Sequence, residues 1–293
     1  MKVNLQIHKA WPPDLASCRG PAPKRTLHHF TIRTKTTMPI PHLPVELLEH
    51  VVNHLHNTKH ALRNCCLVSK SWVPRTRKHL FASVAFYDKE DLKKWKETFP
   101  NPSTSPAPCT ETLIVHCVHA ATAADAEPGG WIRAFSCVVH FELDFYDGRR
   151  DSLLPFHGFS PVLKSIHVEL DFPPLTLDFI LSFPLLEDLT VNFYGMGIDD
   201  GDGYDGLPTV IQPSNPPIFP GSLELAITGL KPFIRQLSSL PSGIHFRKIT
   251  VRLFHDGDIL LTVALVERCS HTLESLNIYC STASVSIQRL RPY

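Results

Sequence analysis

No stretch of this 293-residue chain approaches the ~20 apolar residues of a membrane-spanning helix; the best candidate, Ile259 to Val266, is broken by Thr262. The first residues, Met1 to Ala10, lack the apolar core of a secretory signal, so export is not expected. Neither sign of charge is in excess: the formal net charge of +1 supplies no general attraction to nucleic acid or to a membrane surface. Paired cysteines of the metal-binding kind are missing too. The eight cysteines (Cys18, Cys65, Cys66, Cys109, Cys117, Cys137, Cys269 and Cys280) include no C-x-x-C pair. Without an export signal they are expected to be reduced thiols, packed as small hydrophobes in apolar segments. His50 and His54 have the helical spacing of metal ligands, but Val51 stands where a zincin needs its glutamate, so a solvated helix face accounts for the pair better.

Catalytic signatures are absent as well. There is no G-x-S-x-G elbow, P-loop or kinase signature. His116, Cys117 and His119 could be drawn as a Cys–His pair, yet nothing in their spacing brings them together. The run Asp199-Asp200-Gly201-Asp202-Gly203-Tyr204-Asp205-Gly206 suggests calcium, but Tyr204 replaces an oxygen ligand and Ile211 occupies the place of the bidentate glutamate. Gly195-x-Gly197 follows a strand pattern, but no helix follows it, and the acids would repel a pyrophosphate. The chain is therefore expected not to be an enzyme itself and to need no cofactor and no metal.

What is present is enough apolar material for a core: 43% of residues are hydrophobic and 19% charged, which excludes wholesale disorder. Twenty-six prolines, nearly twice the ~5% average share, predict many short elements separated by turns. Residues 1 to 37 hold seven basic side chains against Asp14 alone, with four prolines and no apolar period. They predict a disordered basic leader over 1–40, and Met38, at its end, would serve as an alternative start.

From Leu43 the pattern turns helical. Pro44 suits a first helical position, Glu46 and Glu49 suit the positive end, and Leu47, Val51 and Leu55 form a stripe widened by Leu48 and Val52. A second helix, capped by Asn57 or Thr58, should carry Ala61, Leu62, Cys65, Cys66 and Val68 inward. Pro74 punctuates, and a short basic helix with Arg75, Arg77 and Lys78 runs to Leu80. Three such helices bury little by themselves and call for a partner or a neighbouring domain.

Leu43-Pro44-Val45-Glu46-Leu47-Leu48, the spacing to Leu55, and Leu67-Val68-Ser69-Lys70-Ser71-Trp72 together resemble an F-box, and the continuation through His79-Leu80-Phe81 resembles fungal F-box proteins. The resemblance covers residues 41–81. Asn57-Thr58-Lys59 departs from it, standing where an Asp-Pro type of turn is common.

After Phe81 the signal is repetition. Apolar residues alternate with mostly polar ones at Val84-x-Phe86, Leu113-x-Val115-x-Cys117, Phe141-x-Leu143-x-Phe145, Ile166-x-Val168-x-Leu170, Leu189-x-Val191-x-Phe193, Leu223-x-Leu225-x-Ile227, Ile249-x-Val251-x-Leu253 and Leu276-x-Ile278-x-Cys280. Phe81, Val138, Leu163, Leu186, Phe246 and Leu273 add an apolar residue three positions before six of them. Counted from Val84 through Leu276, the spacings are 29, 28, 25, 23, 34, 26 and 27 residues, near the ~20–29 of leucine-rich repeats with one insertion. Helical stripes fall between the later strands: Leu175, Phe179 and Phe183; Leu230, Phe233, Ile234, Leu237 and Leu240; and Asp258, as a cap, through Ile259 to Cys269. Strand, helix, strand at this period predicts right-handed crossovers and a parallel sheet. The turn position that usually holds asparagine carries Asp171, Tyr194, Thr228, Phe254 or Ser281, so no asparagine ladder is expected. Pro100 to Pro108 and Gly195 to Pro220 read as loops.

The predicted class is α/β: a small N-terminal three-helix F-box over 41–81, then an irregular leucine-rich-repeat-like solenoid with a parallel sheet over 82–293, with a loop insertion at 195–220. The F-box resemblance implies the substrate-recognition subunit of a Skp–cullin–F-box ubiquitin ligase, cytoplasmic or nuclear, with a Skp-type adaptor, a cullin scaffold and a protein target as partners. It carries Leu43, Pro44, Leu47, Leu48, Leu67, Val68 and Trp72 onto the adaptor interface or the small helical core. A protein-binding scaffold of the same build that joins no ligase is the alternative. In a repeat sheet the residues between the apolar ones face the open side. That set is His116, Glu142, Asp144, His167, Glu169, Thr190, Asn192, Glu224, Thr250, Arg252, Asn277 and Tyr279, acidic through its middle. Glu142, Asp144, His167, Glu169, Asn192 and Arg252 are the expected target contacts, and a basic target segment is the expected ligand.

Overall fold

In the computed structural model the described residues are 44–116, 130–145, 153, 155–170, 175, 177–193, 219–226, 231–240, 244–253 and 258–280. Three helices open this part of the chain: α1 (Val45–His54), α2 (Lys59–Val68) and α3 (Val73–Leu80). Pro44 stands one place earlier than expected, as the N-cap of α1, where its carbonyl accepts from the amides of Leu47 and Leu48. Thr58 is the N-cap of α2, and Pro74 lies in the first turn of α3, where its missing N–H has no cost. Asn53 ties α1 to α3, its Oδ1 accepting from Arg75 Nε at 3.2 Å and His79 Nε2 at 2.9 Å.

The seam between these helices is narrow. Val52, Leu62, Cys65 and Thr76 are buried there. The apolar stripe of α1 therefore divides: Val52 turns in, whereas Leu47 and Val51 stay exposed, against the expectation of a single inward face. Val68, expected inward on α2, is 69% exposed, and Ala61 and Cys66 are half-buried. Helices of eight to ten residues enclose too little volume to cover every apolar side chain they carry.

All eight predicted strands are present: β1 (Ser83–Phe86), β2 (Thr112–Val115), β3 (His140–Phe145), β4 (Ser165–Leu170), β5 (Asp188–Phe193), β6 (Ser222–Ala226), β7 (Lys248–Leu253) and β8 (Ser275–Cys280). They form one sheet in sequence order, each parallel to the next. The fold is mixed α/β. Register aligns the apolar positions into rows that cross the sheet. One row runs Val84, Leu113, Phe141, Ile166, Leu189, Leu223, Ile249, Leu276, and the next runs Phe86, Val115, Leu143, Val168, Val191, Leu225, Val251, Ile278. Both rows are buried from β1 to β7; on β8, Leu276 and Ile278 are 40% and 47% exposed.

One backbone device recurs between strands. The carbonyl just before a strand accepts two successive amides from the start of the next: Ala82 from Glu111 and Thr112, Glu111 from Val139 and His140, Val139 from Lys164 and Ser165, Lys164 from Glu187 and Asp188. Gly221 and Arg247 continue the pattern toward β7 and β8. At the 34-residue spacing between β5 and β6 a side chain takes over: Asp188 Oδ1 accepts from the Ser222 amide at 2.7 Å and its hydroxyl at 2.6 Å. The approach requires glycine at 221, because a Cβ there would lie 2.5 Å from Asp188 Oδ1 and 2.8 Å from the Glu187 carbonyl. Hydroxyls do similar stitching elsewhere: Ser160 Oγ is within 3.1 Å of the Ser136 carbonyl and 2.7 Å of the Val138 carbonyl.

Further helices are α4 (Lys89–Thr98), α5 (Leu177–Leu181), α6 (Lys231–Ser238) and α7 (Asp258–Cys269). α6 holds Phe233, Ile234 and Leu237 of its predicted stripe, and α7 spans its own, with Asp258 as the first helical residue rather than the cap; α5 holds Phe179 alone, with Leu175 and Phe183 buried outside it, and α4 is an addition to the predicted helices. Asp88 caps it, accepting from the Asp91 amide, and Leu92 and Trp95 join the core beside Phe86 and Phe135. The segment Pro100 to Pro108, read as loop, contains two 3-10 turns, Pro102–Thr104 and Ala107–Cys109, with Ser105, Pro106 and Ala107 buried. Aromatic rings fill the layer under the sheet, with Phe141 against Phe156 and Phe159, and Phe219 against Phe246. Burial pushes the Cys269 thiol up to about 11, which suits an unreactive core cysteine. The proposed turn positions Asp171, Tyr194, Thr228, Phe254 and Ser281, most of the Gly195 to Pro220 segment, and the leader lie outside the described residues.

Candidate protein-interaction surfaces

Two surfaces stand out, one on the helices and one on the sheet. On the helices, Leu47 is 51% exposed and Leu67 is 85% exposed, with Val51 and Val68 alongside. Burying such side chains against a partner is worth about 1.5–3 kcal/mol each, so leaving them in water is a standing driving force for association. Beside them lies a groove of about 310 Å³ lined by Leu48, Val52, Trp72 and Pro74, with Arg75 and Lys78 among its basic residues. Of the residues carried over from the resemblance, Pro44, Leu47, Leu67 and Val68 are exposed, whereas Leu48 and Trp72 are half-buried. Leu43 lies outside the described residues. Sequence reasoning passed over Pro74, Arg75 and Lys78 as surface residues; Pro74 and Arg75 lie within one helical turn of Trp72 and Lys78 within one turn of Arg75, which was the available signal.

The second surface is the face of the sheet opposite the apolar rows. Register lines up Tyr87, His116, Asp144, Glu169, Asn192, Ala226, Arg252 and Tyr279 along the ends of the strands. A second row carries Glu142, His167, Thr190, Glu224, Thr250 and Asn277. All six expected target contacts thus share one face. On the described strands of that face, Lys and Arg occur at Lys248 and Arg252, both on β7, and Arg252 Nη2 donates to Glu224 at 2.8 Å. Strands β3 to β5 carry no lysine or arginine on that face.

Side chains of that face are linked. His116 Nδ1 bonds Asp144 Oδ2, and the Tyr87 ring stacks on His116 with centroids 4.9 Å apart and planes 12° apart. His167 Nε2 lies 3.2 Å from Glu169 Oε1 and 3.4 Å from Asn192 Nδ2. Two members depart from the expected solvated strand residues: Asp144 is 5% exposed and Asn192 is 9% exposed. Burial raises the Asp144 carboxyl above its ordinary range, against the opposing pull of His116. Asp144 Oδ1 and Asn192 Oδ1 have no hydrogen-bond partner. Tyr87 was missed from sequence, although it continues the alternation of β1 by one more step.

Among the described residues, no group of three or more His, Cys, Asp or Glu is disposed to hold a metal ion, and no helix is long and apolar enough to cross a membrane. His50 and His54 touch each other, with their Nε2 atoms 3.0 Å apart on the exposed side of α1. No protein-family model, curated protein or solved structure matches the chain.

Proposed function

We propose that this chain is the substrate-recognition subunit of a Skp–cullin–F-box ubiquitin ligase. In this reading residues 41–81 are the F-box that binds a Skp-type adaptor, and residues 82–293 are an irregular leucine-rich-repeat-like solenoid that holds a protein target. The chain would supply no nucleophile; it would accelerate ubiquitin transfer by holding the target near the charged enzyme. A cytoplasmic or nuclear location goes with the reading.

The observation that carries it is the apolar surface of α1 and α2. Leu47, Val51, Leu67 and Val68 are exposed although the seam of the three helices is already filled by Val52, Leu62 and Cys65. Side chains that the fold does not use, in the F-box order of motifs, are what an adaptor interface needs. The repeat reading is supported by strands that follow one another in sequence order and by the same carbonyl device at successive strands. For the target face, the acidic run Glu142, Asp144 and Glu169 favours a basic target segment, with His167, Asn192 and Arg252 beside it.

The test is co-purification of the full chain with a Skp-type adaptor and a cullin. Wild type should bring down both. A Leu67→Asp, Val68→Asp double variant should bring down neither while keeping its circular dichroism. Binding of the adaptor without the cullin would favour the scaffold alternative, and undiminished adaptor binding by the double variant would remove the assigned interface.

A further inference from the structure

The two apolar rows of the sheet come into water at its last strand. Leu276 and Ile278 continue on β8 the rows that are buried from β1 to β7, yet they are 40% and 47% exposed. Helix α7 packs on β7, the strand before it, and no described helix follows β8. Among the described residues β8 pairs with β7 alone, so its other edge is open. That edge has neither charge nor proline, the usual protections of an edge strand. Backbone direction fixes which groups it presents. The Ser275 amide donates to the Arg247 carbonyl at 3.0 Å. Successive residues of a strand turn their N–H and C=O to opposite sides, so those of Ser275, Asn277 and Tyr279 meet β7. Those of Leu276, Ile278 and Cys280 point to the open edge. Strand β2 shows the same alternation, with Thr112 donating to Ala82 and His116 to Phe86.

Residues 281–293 lie outside the described residues, and their sequence carries the complement of this edge. Ala283, Val285 and Ile287 alternate with Ser284, Ser286 and Gln288. We propose that residues 283–288 dock on the open edge of β8 as an antiparallel strand, joined to it by a two-residue turn at Ser281 and Thr282. A parallel strand is excluded, because its crossover takes a dozen or more residues and the alternation begins at Ala283. The turn makes Cys280–Ala283, Ile278–Val285 and Leu276–Ile287 the hydrogen-bonded pairs. On β8 these are the residues whose N–H and C=O are open. The same register sets apolar against apolar in the rows, and Tyr279–Ser284 and Asn277–Ser286 on the other face. One more residue in the turn would bring Ser284 and Ser286 onto the apolar rows; two more would set Arg289 opposite Leu276. Arg289, Arg291 and Pro292 follow the segment, charge and proline of the kind that guards an outer edge. The inference is independent of what the helices and the open face bind, and it removes the β8 edge from the surfaces a partner could use.

The experiment is nuclear magnetic resonance of the full chain, with amide exchange measured at high and low protein concentration. The amides of Leu276, Ile278 and Cys280 should be protected equally at both. Cross-strand contacts between α-protons should join Tyr279 to Ser284 and Asn277 to Ser286, the pairs without mutual hydrogen bonds. Val285→Lys with Ile287→Lys should speed exchange at the three amides by at least about tenfold. Ser284→Lys with Ser286→Lys, on the other face, should change it by no more than about threefold. Ser281→Asn with Thr282→Gly supplies the favoured residues of a two-residue turn and should slow exchange there by about threefold. Unprotected amides in the wild type, absent cross-strand contacts, or a larger loss from the serine variant than from the Val285 and Ile287 variant would overturn the proposal. So would faster exchange in the Asn-Gly variant. Protection that is lost on dilution would assign the edge to a second copy of the chain and overturn it as well. Adaptor co-purification reads α1 and α2, so the two readings fail separately.

Discussion

In α1 and α2 the side chains of Leu47, Val51, Leu67 and Val68 face water, whereas every residue of the two apolar rows from β1 to β7 is buried. Both regions were written with comparable apolar patterns, and the patterns end in opposite places. The sheet closes its rows with aromatic rings and with α5, α6 and α7, so its apolar residues form one continuous core. The three helices close only a seam around Val52, Leu62 and Cys65, and those residues do not belong to the sheet's core cluster. The difference teaches that a periodic apolar face identifies a surface to be covered, and that the chain itself covers it in one region and not in the other.

Stability measurements should separate the regions most strongly. Leu143→Ala, at a fully buried position of β3, should cost about 3–5 kcal/mol in urea denaturation. Leu67→Ala should change stability by no more than about 0.5 kcal/mol, because its side chain packs on little. Similar losses at both positions would break the comparison. A smaller effect, on the order of 2 kcal/mol, is expected for Gly221→Ala, whose methyl group would press on Asp188 and the Glu187 carbonyl. A stabilised Gly221→Ala would mean that the β5–β6 junction is looser than its 2.7 Å Asp188–Ser222 bond implies. Ser160→Ala should cost about 1 kcal/mol by leaving the Ser136 and Val138 carbonyls without their hydroxyl donor.

The smallest effect is expected at Asp144, where it has a distinctive pH profile. The folded chain holds the Asp144 proton more tightly than the unfolded chain, because burial raises its carboxyl above 3.8. A raised folded value gives a contribution to stability that is present below pH ~3.8 and lost as pH rises through the folded value. Asp144→Asn cannot ionise and escapes that loss. Its stability should therefore match wild type in acid and exceed it at neutral pH, in denaturation midpoints measured across that range. A variant less stable than wild type at neutral pH would show that the His116 bond outweighs the burial of the charge, and would make Asp144 a structural residue.

The strands were legible because their alternation has a period of two, and residues such as Leu113, Val115, Ile166 and Val168 leave no other face for burial. The open-face residues followed from the same arithmetic. Helix α4 escaped because its apolar residues are few, although the Asp88 cap, Glu90 and Asp91 in the first turn, and the Leu92–Trp95 pair were all readable. The inward placement of Val68 failed for a different reason. Periodicity tells which residues share a face, but only packing decides whether a face meets the chain or a partner. The burial of Asp144 and Asn192 could not be read at all, since the alternation that defines the open face also predicts solvent there.

Hydrogen–deuterium exchange of the full chain, with and without a Skp-type adaptor, bears most directly on the contrast between helices and sheet. The account predicts added protection at amides of α1 and α2, around Leu47 to Val51 and Leu67 to Val68, with the exchange of β2 to β7 unchanged. Protection that falls on the sheet instead, or no change in α1 and α2 at saturating adaptor, would contradict it.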